Sequence, residues 1–126
     1  MARRKGEGGR VFKGRTRQLT KAIFWTLALK GPSTAYDICR EVRTQKALKY
    51  TRYSVVNRRV RTLEELGYVE KVGTKNTKAG FKAPLYQLTV RAYLAIVLNQ
   101  INLEHFIEVA EENAVLSALA TLSSAL

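Results

Sequence analysis

The amino-acid sequence predicts a mainly α-helical fold with one small β-hairpin, an α+β arrangement, on the strength of three observations. Apolar residues recur at helical spacing within residues 17–30, 35–42 and 53–66. Two β-favouring runs, "YVEKVG" (68–73) and "PLYQLT" (84–89), flank a loop rich in glycine, asparagine and lysine. The helical period then returns from Thr89 to the last residue. A chain of 126 residues suits one compact domain with an appended element, and 46% apolar residues supply a core without disulfides or metals. Three parts follow from the pattern: a basic arm over 1–16, a compact unit over 17–89 and a helical segment over 90–126.

Residues 1–16, "MARRKGEGGRVFKGRT", combine four glycines and six bases with no apolar period. They read as a flexible arm able to lie along phosphates or in a minor groove, with Arg3, Arg4, Lys5 and Arg10 as the contacting residues. No apolar run follows the first charges, so this is not read as a signal peptide. In "RQLTKAIFWTLALK" (17–30), Leu19, Ala22, Ile23 and Leu27 form a stripe that Phe24, Trp25, Ala28 and Leu29 widen. A helix so apolar is expected to be covered on two sides. Gly31 and Pro32 end it.

A second helix follows, with Thr34 as cap, Asp37 near the capping-box position, and Ala35, Ile38, Cys39 and Val42 as its inner face. Cys39, the only cysteine, reads as a small buried hydrophobe, and no histidine or acid is placed to activate it. The third helix, residues 53–66, turns Val56, Val60 and Leu63 inward. Ser54, Arg58 and Arg61 project to the opposite side, with Asn57 and Arg59 on the flanks. Gly67 terminates it. The hairpin then carries a long basic tip, "TKNTKAGFKA", with Lys75, Asn76, Lys78 and Lys82. Thr89 caps the last helical region, Leu88 and Tyr93 have the spacing of a hydrophobic staple, and a break is expected near Asn102.

Charge is divided along the chain. Residues 1–91 hold all 22 bases and 6 of the 10 acids, a net +16, whereas residues 92–126 hold 4 acids and no base, a net −4. Such a split points to one part that faces a polyanion and another with a different task.

The order of helix, short helix, arginine-bearing helix, hairpin and long helix resembles the winged helix-turn-helix, in particular the small PadR-like and MarR-like transcriptional regulators. The resemblance covers roughly residues 17–100. Its most specific part is "VVNRRVRTLEELGYVEK", through Leu63, Glu64, Gly67, Tyr68 and Val69, and "YQLT" (86–89) is similar to the return strand and its exit. Arg59 departs from the pattern, standing where such families often carry an apolar residue. The resemblance implies a winged helix-turn-helix with a C-terminal dimerisation helix.

The residues support the same expectation directly. A B-DNA major groove is about 12 Å wide and admits one helix, which needs a buried side and a hydrogen-bonding side. Arg58 or Arg61 suits a guanine, Asn57 an adenine, and Tyr53 or Ser54 a phosphate, while Lys75, Asn76, Lys78 and Lys82 suit the backbone or an adjacent minor groove. Two-fold dimers read half-sites about one helical turn, ~34 Å, apart. The apolar, acidic segment is the natural interface, through Leu94, Val97, Leu98, Ile101, Phe106, Val109 and Leu116. The alternative is that it folds back onto Trp25 and Leu29 within one chain. His105 reads as an interface or surface residue.

The expected protein is therefore a cytoplasmic, nucleoid-associated homodimer that binds double-stranded DNA sequence-specifically and regulates transcription. Two other readings use the same charge: an architectural chromatin-type protein without a preferred site, and an RNA-binding winged helix. The second is weakened by the lack of an obvious aromatic stacking platform in the sequence. No enzyme is expected, because paired acids, a nucleophile–base set and a glycine-rich phosphate cradle are all missing. No cofactor or metal is expected, since Cys39 and His105 are the only soft ligands. No membrane partner is expected, since no uncharged apolar run reaches about 18 residues. The sequence is silent on a small-molecule effector.

Overall fold

The computed structural model describes residues 16–98, 108 and 111–125. The arm residues Arg3, Arg4, Lys5 and Arg10 lie outside them, as do Ile101, His105, Phe106, Val109 and the side chain of Leu98. Five α-helices and a two-stranded antiparallel hairpin make up the described chain, an α+β fold. In order they are α1 (Arg17–Lys30), α2 (Ala35–Val42), a 3-10 turn (Lys46–Leu48), α3 (Tyr53–Glu65), β1 (Val69–Asn76), β2 (Lys82–Leu88), α4 (Val90–Leu98) and α5 (Glu112–Ala125).

Helix α1 is the axis of the core, as its apolar circumference demands. Ile23, Phe24 and Leu27 are fully buried, and α1 packs against α2, α3, β2 and α5. Helix α2 starts where expected: the Thr34 hydroxyl accepts a hydrogen bond from the Asp37 backbone N–H at 3.1 Å. Ile38, Cys39 and Val42 face inward to meet Val56, Val60 and Leu63 of α3.

The exit of α3 is built by a Schellman pair of bonds. Gly67 N–H donates to Glu64 O at 3.0 Å and Tyr68 N–H to Leu63 O at 2.9 Å, with Gly67 at φ +86°. Tyr68 thereby drops into the core against Phe24, their ring centroids 5.9 Å apart. A Cβ at position 67 would meet the Arg91 side chain at 3.4 Å in addition to the left-handed backbone. Gly67→Ala is expected to lower the unfolding free energy by about 1–2 kcal/mol. A denaturant midpoint unchanged by the substitution would refute the strain.

The strands run longer than the sequence patterns suggested. They pair from Val69↔Leu88 to Asn76↔Lys82, with a bulge at Val72 between Lys71 and Gly73. Lys75, Asn76 and Lys82 therefore lie on strands, and the expected ten-residue tip shrinks to residues 77–81. The reason is backbone pairing: a twisted ribbon continues as long as its N–H and C=O groups find each other, whatever the β propensity of the residues. Thr77 closes the tip by donating its N–H to Phe81 O (2.7 Å) and accepting from Phe81 N–H through its hydroxyl (3.2 Å).

A further pairing ties the hairpin to the helices. Ser33, between α1 and α2, exchanges both backbone bonds with Tyr86 at 3.0 and 2.8 Å. At the other end, the Thr89 hydroxyl donates to Gly67 O at 2.6 Å.

The C-terminal part holds two described helices, and the break expected near Asn102 lies outside the described residues. Helices α4 and α5 are separate, and α5 packs on α1 in the same chain with Ala114 and Ala118 buried. The fold-back onto α1 is thus present, with Trp25 and Leu29 half-buried beside the core. In α4 the inward residues are Ala92 and Ile96. Leu94, Val97 and Leu116, expected in a dimer interface, stay exposed, as does Leu119. Among the described residues no helix is long and apolar enough to cross a membrane.

Candidate nucleic-acid interface

Helix α3 presents two different sides because its apolar residues fall at Val56, Val60 and Leu63. Tyr53, Ser54, Arg58 and Arg61 are exposed, and Asn57 is half-buried. Arg59 is the correction. Three residues after Val56 and four before Leu63, it lies on the inner stripe rather than the flank and is only 7% exposed. Its Nε donates to the Thr20 hydroxyl of α1 at 2.8 Å, in a place with no contact to solvent on the Thr20 side. The three neighbouring arginines therefore do different things: Arg58 and Arg61 face water, and Arg59 braces α3 against α1.

Between α3, α2 and the hairpin lies a groove of about 880 Å³. Tyr53, Asn57 and Arg61 form its α3 wall, and Lys75, Asn76, Thr77 and Lys78 line its hairpin wall. Tyr36, Asp37 and Arg40 of α2 line it as well. The structure thus brings together Tyr53, Asn57, Arg61, Lys75, Asn76 and Lys78 from the expected set. Ser54 and Arg58 are exposed on α3 but do not line the groove, and Lys82 sits exposed on the ribbon outside it.

Tyr36, Asp37 and Arg40 were missed by the sequence reading. The signal was available: Tyr36 and Arg40 stand four apart on the face of α2 opposite Ile38, Cys39 and Val42. Arg40 places its guanidinium 5.6 Å from the centre of the Tyr36 ring, a cation–π contact.

Among the described residues, Asp37 is the one carboxylate lining the groove. Its oxygens accept from Arg40 Nη2 and Lys75 Nζ, each at 3.1 Å, so it clips the hairpin to α2. Partial burial pushes the Asp37 carboxyl up, but hydrogen bonds from Lys75 and Thr34 and the Lys75 charge outweigh it and hold the group below its usual value. A folded-state value below the unfolded one means the contribution is complete above the ordinary carboxylate range and fades as pH falls below about 4. Both cations are more than half exposed, so the clip is worth little in stability. Carboxyl titration by NMR should find the Asp37 midpoint low, and Lys75→Ala should raise it. A midpoint unmoved by that substitution would dissociate Asp37 from the hairpin.

At the floor of the groove, burial pushes the Tyr86 hydroxyl up, Glu64 adds to this and Arg61 opposes it. Arg61 and Tyr86 line the same groove, from α3 and from the ribbon. The arrangement supplies positive charge on two walls, hydrogen-bonding side chains between them, and aromatic rings at the rim. Among the described residues no group of three or more His, Cys, Asp or Glu is placed to hold a metal ion. The chain matches no protein-family model, no curated protein sequence and no solved structure.

Proposed function

We propose that the protein is a winged helix-turn-helix DNA-binding regulator of transcription, acting as a homodimer on preferred duplex sites. The carrying observation is the groove whose α3 wall holds Asn57 and Arg61 and whose ribbon wall holds Lys75, Asn76 and Lys78. In this reading α3 enters the major groove, where Arg58 and Arg61 meet guanine edges and Asn57 an adenine. The ribbon reaches across the flanking sugar–phosphate strand, so that this strand runs along the groove between the two walls. Lys75 then exchanges the Asp37 carboxylate for a phosphate, and Lys78 and Lys82 add backbone contacts. The Ser33–Tyr86 pairing supports the reading, since it fixes the ribbon beside the α2–α3 unit as a wing requires.

The homodimer rests on Leu94, Val97, Leu116 and Leu119, apolar residues of the base-free part of the chain that are exposed on two helices packed on one another. Apolar side chains left open on helices already anchored by Ala92, Ile96, Ala114 and Ala118 suit a second copy of the chain. Selection of bound duplexes from a random pool, run beside a measurement of solution mass, tests both parts. A two-fold consensus and a dimer mass are expected. A pool without consensus would point to architectural coating, and a monomer mass would remove the dimer.

A further inference from the structure

The exposed aromatic side chains of the described residues all fall on one part of the molecule. Tyr36 is 64% exposed, Tyr50 87%, Tyr53 45% and Phe81 72%, and all belong to the α2–α3 unit or the ribbon tip. Two of the rings hold a cation against them, and the other two have a base next in the chain. The Arg40 guanidinium lies 5.6 Å from the Tyr36 ring centre and the Lys49 ammonium 5.5 Å from that of Tyr50. Arg52 precedes Tyr53 and Lys82 follows Phe81. Reading a paired duplex uses hydrogen-bonding edges and point charges, and open ring faces add little to it. Unpaired strands are held differently, by bases stacked on aromatic rings while cations follow the backbone. Two of these rings, Tyr36 and Tyr53, lie on the groove itself, together with Arg40, Arg61 and Lys75.

We infer that this groove accepts unpaired nucleotides, with bases stacking on Tyr36 and Tyr53 and the backbone held by Arg40 and Lys75. The protein accordingly favours duplex DNA that contains an unpaired stretch over the same duplex fully paired. This rests on the proposed DNA-binding reading and deepens it by naming the state of the DNA that the groove selects. A base already out of its pair reaches the rings without the free energy of unpairing, which is the source of the preference.

Fluorescence anisotropy on the full chain at one salt concentration tests it with four labelled probes. They are a paired duplex, the same duplex with a central mismatched bubble, one of its DNA strands alone, and the RNA strand of the same sequence. The bubble is expected to bind about tenfold more tightly than the paired duplex. Tyr36→Ala and Tyr53→Ala should each weaken bubble binding about five- to tenfold and paired-duplex binding by a clearly smaller factor, so that the preference for the bubble shrinks. Tyr36→Phe and Tyr53→Phe keep the ring and should keep the preference, which separates stacking from a hydroxyl–phosphate contact. Equal binding of bubble and paired duplex overturns the inference and leaves the duplex reading standing. Alanine variants that weaken both probes alike overturn it too. Binding of the bubble and single strand without the paired duplex upholds the inference and overturns the duplex regulator. RNA bound more tightly than every DNA probe, or no probe bound at all, overturns both.

Discussion

Arg59→Ala is expected to lower the free energy of unfolding by about 2–4 kcal/mol, while Arg58→Ala, one residue away, changes it by less than about 0.5 kcal/mol. The Arg59 guanidinium is buried and donates to the fully buried Thr20 hydroxyl, so truncation leaves both a void and a hydroxyl that has lost its donor. Arg58 is exposed and its removal leaves neither. Arg59→Met fills most of the volume without the charge and should recover more than half of the loss, since a buried charge carries its own desolvation penalty. Denaturant unfolding of the three variants measures this. Equal destabilisation at positions 58 and 59 would mean that Arg59 does not brace α3 against α1.

The second large effect concerns binding. Arg61→Ala is expected to weaken binding to a preferred duplex by about 1–3 kcal/mol and to narrow the gap between preferred and random sequences. Arg61→Lys should not restore it, because a single ammonium cannot reproduce the two parallel bonds of a guanidinium on a guanine. Arg58→Ala should relax preference at a different base position, since Arg58 lies outside the groove while Arg61 lines it. Lys78→Ala, at the ribbon tip, should weaken every sequence alike and reduce the salt dependence by about one released counterion. Titrations at several salt concentrations separate the two patterns. A loss at Arg61 that is equal on preferred and random duplexes would make it a phosphate contact and remove it from base readout.

Arg59 and Arg61 look alike in the sequence, yet one is buried against α1 and the other is exposed. The outward position of Arg58 and Arg61 was legible from the Val56, Val60 and Leu63 spacing alone. Arg59 was expected on the flank, yet the same spacing, three after Val56 and four before Leu63, puts it on the inner stripe, where it is buried. What decided the matter was Thr20, thirty-nine positions earlier, which presents a buried hydroxyl to Arg59.

The helices and the hairpin were readable because each depends on residues a few positions apart. Apolar spacing places α1, α2 and α3, Thr34 starts α2, and Gly67 turns the chain out of α3 at a positive φ that glycine accepts most easily. The basic character of residues 1–91 is likewise a property of composition. Packing decided everything that joins distant residues: the Ser33–Tyr86 pairing, the Asp37–Lys75 clip, the return of α5 onto α1, and the meeting of Tyr36 with Tyr53 across one groove. A linear pattern tells which side of an element is apolar. Which other element covers that side, and which polar side chains are thereby drawn together, emerges only when all the elements share a single core.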